Sequence, residues 1–214
     1  MMGAVLTTIC LIAFNAKAAF ASSERIMVYG DSLSAAYGID QRDGWVSLLQ
    51  AKMHAEGVTV INSSISGETT AGGSNRLMTD LAKIKPTIVV LALGANDGLR
   101  GLPTAETRKN LQSMIVKIQA ARAKVVLIAI QIPPNYGIEY SRQFRELYFD
   151  LARSNRLPPP PFLLEGIAER LELFQADRLH PKAEAQSAIL DNVLPAIRKA
   201  LNKPVSAANS TPKS

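Results

Sequence analysis

Apolar residues along this chain fall into two alternating patterns: short unbroken runs, and longer stretches where they recur every three or four positions. Arg25–Tyr29, Val58–Asn62, Thr87–Leu93 and Lys124–Ile132 are runs of the first kind, closed by Gly30, Gly94 or the Pro133-Pro134 pair where they end most sharply. Runs of that length without polar alternation mark strands buried on both faces. Between them, Trp45, Leu48, Leu49 and Met53 predict an amphipathic helix stopped by Gly57, and Leu77, Leu81 and Ile84 predict one over Asn75–Ile84, ended by Pro86. A long helix is predicted from Thr104, its cap, to Ala121, with Leu111, Ile115 and Ile118 facing inward, and another over Glu139–Ala152. Pro158 to Pro161 force an extended connection into Phe162-Leu163-Leu164, a short final strand, and the last helix has Pro181 in its first turn and runs to Leu201. Strand alternating with helix predicts an α/β fold: a parallel sheet with helices on both faces. Function in such sheets collects beyond the carboxyl ends of the strands.

The 214 residues suit one domain, which commonly runs to ~100–200 residues. Its ends read differently. Met1 to Phe14 are almost wholly apolar and are followed by Ala16-Lys17-Ala18 and Ala19-Phe20-Ala21. A stretch this short before a small-residue cleavage pattern reads as a secretory signal over residues 1–21, which places the mature protein in the periplasm or outside the cell. No basic residue precedes Lys17, so retention as an anchor is the competing reading. The single cysteine, Cys10, lies inside the segment, so cleavage leaves a chain with neither a disulfide nor a thiol nucleophile. Residues 22–203 then form the domain, and the small, polar residues 204–214 a disordered tail.

Twenty-four Lys and Arg against 18 Asp and Glu give a net charge of +6, yet the charges are scattered, which predicts a solvated basic surface and no nucleic-acid site. No glycine-rich phosphate loop of either common pattern occurs, which argues against a nucleotide cofactor. With two histidines and no mature thiol, a structural zinc site is excluded.

The scarcity of histidine sharpens the chemistry. A serine nucleophile needs a base, and the base needs an orienting carboxylate. Ser32 stands just past the first strand in Gly30-Asp31-Ser32-Leu33-Ser34, where backbone N–H groups favour a developing negative charge, although a capping serine fits such a place too. His180 follows Asp177 by three residues, so one turn can present both; a helix entry at Pro181 would explain the same residues without chemistry. His54 lies on the first amphipathic helix, facing solvent, with no Asp near it in sequence. Asn96, in Gly94-Ala95-Asn96-Asp97 after the most apolar strand, offers a carboxamide donor for an oxyanion, while Asp97 props the loop. Gly67 permits close approach of its N–H to a ligand, and a plain turn explains it equally well.

Gly30-Asp31-Ser32-Leu33, Gly67, Gly94-x-Asn96-Asp97 and Asp177-x-x-His180 together resemble the four blocks of the SGNH (GDSL) hydrolase superfamily. Ser64-Ile65-Ser66-Gly67-Glu68-Thr69, Gly98-Leu99-Arg100-Gly101 and Ile132-Pro133-Pro134-Asn135-Tyr136-Gly137 are similar to its multifunctional branch of acyl-CoA thioesterase I / lysophospholipase L1 and bacterial arylesterases. The resemblance implies a flavodoxin-like three-layer sandwich with a five-stranded parallel sheet and a Ser32–His180–Asp177 triad. It also implies an oxyanion hole from the Ser32 and Gly67 N–H groups and the Asn96 side chain. Two departures stand out: Ala36 where the family often has Gly, and Arg178 where Asp-Gly-Ile/Val-His is commoner. The loops holding Leu99, Arg100, Pro134 and Tyr136 lie beside the implied cleft, and their apolar members suggest an acyl groove. The expected protein is a monomeric serine esterase or thioesterase that needs no metal or cofactor. It would act on small acyl esters or thioesters, with transient lipid contact where lysophospholipids are substrates. A carbohydrate O-acetyl esterase of the same fold and an exported lipid-binding protein without turnover are the alternatives.

Overall fold

The four unbroken apolar runs pair side by side. In a computed structural model that describes residues 24–202, β1 (Arg25–Gly30), β2 (Thr59–Asn62), β3 (Ile88–Ala92) and β4 (Lys124–Leu127) form one parallel sheet in the order β2-β1-β3-β4. Ile26 stands opposite Val60 on one side and Ile88 on the other, and Leu91 opposite Leu127. β3 is buried along its whole length, as a parallel strand covered on both faces must be. The helices are α1 (Trp45–His54), α2 (Thr70–Ile84), α3 (Ala95–Leu99), α4 (Thr104–Ala120), α5 (Ile138–Ser154) and α6 (Gln186–Ala200). α1 packs on α6, while α2 packs on α4 and α4 on α5, so the sheet lies between two helical layers.

Several boundaries differ from those the pattern predicts. The sheet has four strands and not five. Where a fifth would run, at Phe162-Leu163-Leu164, the four prolines 158–161 lead in without N–H groups to donate, and one parallel bridge between Ala129 and Phe162 is all that forms among the described residues. Regular pairing of β4 accordingly stops at Leu127, five residues before the end of its apolar run. α2 begins at Thr70, well before Asn75: Thr69 caps it by accepting from the Gly72 N–H at 3.2 Å, and the poor helix formers Gly72 and Gly73 hide that first turn in the sequence. Thr104 is the first residue of α4 and not its cap, a place taken by Pro103. Pro181 lies outside α6, in an antiparallel bridge with Phe174, and a short 3-10 turn over Ala183–Ala185 precedes the helix. The predicted signal segment and tail fall outside the described residues.

The chain leaves β1 to one side for β2, then crosses back to β3 on the other. The carboxyl ends of β1 and β3 therefore flank the point where strand order reverses, the natural crevice of a doubly wound sheet.

Candidate active site

After β1, the carbonyl of Asp31 accepts from the N–H groups of Ser34 and Ala35, and its carboxylate Oδ1 from Leu33 at 3.1 Å. The turn so made wraps tightly around Ser32. Ser32 Oγ lies 2.9 Å from His180 Nε2, and His180 Nδ1 lies 2.7 Å from Asp177 Oδ2. The other carboxylate oxygen of Asp177 accepts from the backbone N–H groups of Leu179 (2.9 Å) and His180 (3.0 Å). The carboxylate accepts the Nδ1 proton, which leaves Nε2 free to accept from the serine hydroxyl. Partial burial pushes the Asp177 carboxyl upward, but the bonds from His180 and Leu179 outweigh it and hold it down at about 2, so it stays ionised beside the imidazole.

A small hairpin places this pair. Gln175 N–H donates to the His180 carbonyl at 2.8 Å, and Lys182 N–H to Leu173 at 2.8 Å, around the Phe174–Pro181 bridge. Within the turn, Arg178 sits in the left-handed region at φ +57°, and Ala36, after Ser32, at φ +58°. Both residues noted as departures from family glycine thus occupy backbone conformations that glycine adopts at least cost.

Across the crevice, Gly67 has φ +79° and open space where a side chain would be, so its N–H can turn toward a bound atom. At Gly94, φ is +124° and an added Cβ would lie 2.2 Å from the Tyr148 hydroxyl; only glycine lets the chain turn there from β3 into α3. Asn96 donates one carboxamide N–H to the Glu68 carbonyl at 2.9 Å. That fixes the amide plane and leaves its second N–H available. Asp97 is buried and accepts from the backbone N–H and the hydroxyl of Thr70 and from the Thr107 hydroxyl, so it props the loop as its sequence context suggests.

Of the predicted cleft residues, Arg100 donates to the Gly67 carbonyl at 3.2 Å and Leu99 is half-buried beside it. Pro134 opens a short 3-10 turn that ends at the exposed Tyr136, and among the described residues Tyr136 has no hydrogen bond to Ser32, His180 or Asp177. That edge joins the crevice through Tyr140, whose hydroxyl donates to the Leu102 carbonyl at 2.7 Å. His54 is exposed on α1.

Two site features escaped the sequence. Arg76, on α2, binds Glu68 (2.6 Å), Asp80 (2.6 Å) and the Ser63 carbonyl (2.8 Å) while its guanidinium covers the Tyr29 ring at 4.1 Å, so one side chain ties both ends of the Gly67 loop. Only the i,i+4 spacing to Asp80 hints at this. Tyr37 lays its ring 4.4 Å from the His180 imidazole, and no periodicity points to that contact.

The family described as GDSL-like Lipase/Acylhydrolase matches residues 28–188, three-quarters of the chain.

The chain belongs to this family.

Among its GDSL relatives, Esterase TesA of Pseudomonas aeruginosa is 45% identical over 183 residues, covering 85% of this chain and 91% of the relative. Thioesterase 1/protease 1/lysophospholipase L1 of Escherichia coli K12 is 36% identical over 181 residues, 85% of each chain. The solved structure of the psychrotrophic esterase EstA of Pseudoalteromonas, inhibited by monoethylphosphonate, superposes with a TM-score of 0.80 at 43% identity, covering 84% of this chain and all of that one. These relatives are named as esterases and thioesterases.

Proposed function

We propose that Ser32, His180 and Asp177 hydrolyse carboxylic esters and thioesters through an acyl-enzyme. The observation that carries this reading is the continuous line of 2.9 and 2.7 Å contacts from Ser32 Oγ through the imidazole to Asp177. Ser32 Oγ attacks the acyl carbonyl as His180 Nε2 takes its proton, and Asp177 supports the imidazolium. The carbonyl oxygen becomes an oxyanion against the Ser32 and Gly67 N–H groups and the free N–H of Asn96. His180 then protonates the leaving alcohol or thiol, a water takes its place, and the same imidazole draws a proton from that water as it attacks the acyl carbon. Collapse releases the acid and returns the proton to Ser32.

The relatives' names, esterase and thioesterase/lysophospholipase, support aryl and short-to-medium acyl esters, thioesters and lysophospholipids as the substrate class. No observation favours the carbohydrate esterase, and a passive lipid carrier has no use for a carboxylate and imidazole aimed at a serine. Export, read from the signal-like residues 1–21, and a monomeric state stay part of this proposal.

Ser32→Ala should lower turnover of a p-nitrophenyl ester by at least ~10⁴-fold and abolish labelling by a fluorophosphonate. Near wild-type turnover or undiminished labelling in that variant would refute the assignment.

A further inference from the structure

Six of the nine large hydrophobic side chains exposed among the described residues lie on the carboxyl edge of the sheet: Tyr37, Ile65, Leu102, Tyr136, Ile138 and Leu179. They come from five separate loops, those after β1, β2, β3 and β4 and the Asp177–His180 turn. Hydrogen bonds and ring contacts show that these loops surround one crevice. Tyr37 touches the His180 ring, Leu179 adjoins it in sequence, Tyr140 binds the Leu102 carbonyl, and Arg100 binds the carbonyl of Gly67, two residues from Ile65. Ile138, the first residue of α5, is 87% exposed, an unusual position for isoleucine in the absence of a partner.

Charge on the same rim is arranged unevenly. Arg42 pairs with Asp40, and Arg142 with Glu139 and Glu146. Arg100 and Arg178 are exposed and have no carboxylate within ion-pair distance among the described residues. Arg100 reaches the carbonyl of Gly67, and Arg178 lies two residues before His180, whose ring meets Ser32.

We propose that this rim is a docking surface for a lipid aggregate with anionic phosphate headgroups, with Ile138 and its neighbours entering the apolar layer and Arg100 and Arg178 meeting the phosphates. One small substrate cannot cover apolar residues on five loops at once. A protein partner seated there would stopper Ser32. A lipid surface buries the same residues and delivers an acyl chain through the centre of the ring, to the serine. The inference rests on the hydrolase reading for its purpose, but the surface itself is testable without turnover.

The test uses the full chain carrying Ser32→Ala, so that vesicles stay intact, in co-sedimentation with phosphatidylglycerol and with phosphatidylcholine vesicles. The Ser32→Ala protein should partition onto phosphatidylglycerol more strongly than onto phosphatidylcholine, and high salt should weaken it. Adding Ile138→Asp should lower the vesicle partition coefficient by about tenfold or more. Ile138→Ser, milder at a helix start, should lower it less. In the chain with Ser32 intact, Ile138→Asp should leave turnover of monomeric p-nitrophenyl acetate within about twofold of wild type, since it removes membrane contact and no catalytic group. Absence of binding to phosphatidylglycerol overturns the proposal, as does binding indifferent to Ile138→Asp. Equal losses in vesicle binding and in p-nitrophenyl acetate turnover would make Ile138 a wall of the substrate groove, which also overturns it. A wild-type chain that binds vesicles yet hydrolyses no ester would sink the hydrolase reading and leave the docking surface standing.

Discussion

On one side of Ser32, the loop that carries Gly67 is closed at both ends by Arg76 and braced from α3 by Asn96 and Arg100. The ion pair at its centre, Arg76 with Glu68, is largely buried, with side chains 21% and 12% exposed. On the other side, the Asp177–His180 turn projects from a two-bond hairpin, and the Asp177 side chain is 39% exposed. The proposed oxyanion side is woven into the core, whereas the proposed base side is hung upon it. This division follows from what each must do. Donors that stabilise a transient charge act best when fixed before the charge appears, while an imidazole that passes protons in both directions needs only a held tautomer and a short reach. Damage to the two sides should therefore separate chemistry from stability.

The sharpest break is at the base. Asp177→Asn keeps the shape but offers Nδ1 an amide, so the imidazole tautomer is no longer specified. We expect kcat to fall by ~10³–10⁴-fold. Because the residue is exposed, Tm should move by no more than a few degrees. Steady-state kinetics beside a thermal melt checks both; a large Tm loss would mean that the base turn is structural after all.

Arg76→Gln sharpens the other half. It leaves Glu68 and Asp80 without their shared cation and frees both ends of the Gly67 loop. The expected result is a Tm drop of ~5–10 °C together with a kcat loss of about tenfold and little change in KM. Arg76→Lys should recover more of the Tm than of kcat, since one ammonium can neutralise a carboxylate but cannot span Glu68, Asp80 and the Ser63 carbonyl. If Arg76→Gln lowered Tm and left kcat untouched, the loop would not depend on its staple for catalytic geometry.

The same division governs how much could be read from the chain beforehand. The base side was legible because histidine is scarce: with His54 on a solvent face, Asp177 and His180 had no competitors. Gly94 and Asn96 were legible because they end a long apolar strand, the place where parallel sheets carry function. Arg76 was not, because Ser63, Glu68 and Tyr29 lie at separations with no periodic meaning and meet only once α2 packs beside β1. The missing fifth strand shows the limit of apolarity as a signal. Phe162-Leu163-Leu164 has the composition of a strand, but the four prolines before it cannot donate to a ladder, and Ala129 bonds only the Pro161 carbonyl and the Leu163 N–H. Ala36 and Arg178 carry the reverse lesson. Their left-handed backbone follows from the fold around Ser32 and His180, and nothing about alanine or arginine announces it.

Between the two halves, next to Ser32 in the chain, lies Asp31, and it sets the gentlest test. Its side chain is fully buried, Oδ1 accepts the Leu33 N–H, and Oδ2 has no partner among the described residues. Burial pushes its carboxyl up to about 7; the Leu33 and Ala95 N–H groups pull it down, and the nearby Asp97 adds to the rise. The folded state therefore holds this proton from about pH 4, where the unfolded chain releases it, up to about pH 7. In that window the folded protein binds more protons, so the Asp31 contribution falls as pH rises, with a slope of at most ~1.4 kcal/mol per unit. Asp31→Asn, which mimics the protonated form, should gain stability relative to wild type at pH 8 and lose that advantage toward pH 4. Urea unfolding at a series of pH values reads the difference directly. A constant offset between the two proteins across that range would mean that Asp31 titrates in the folded state as it does in the unfolded chain. The charge beside Ser32 would then be present across the whole of that pH range.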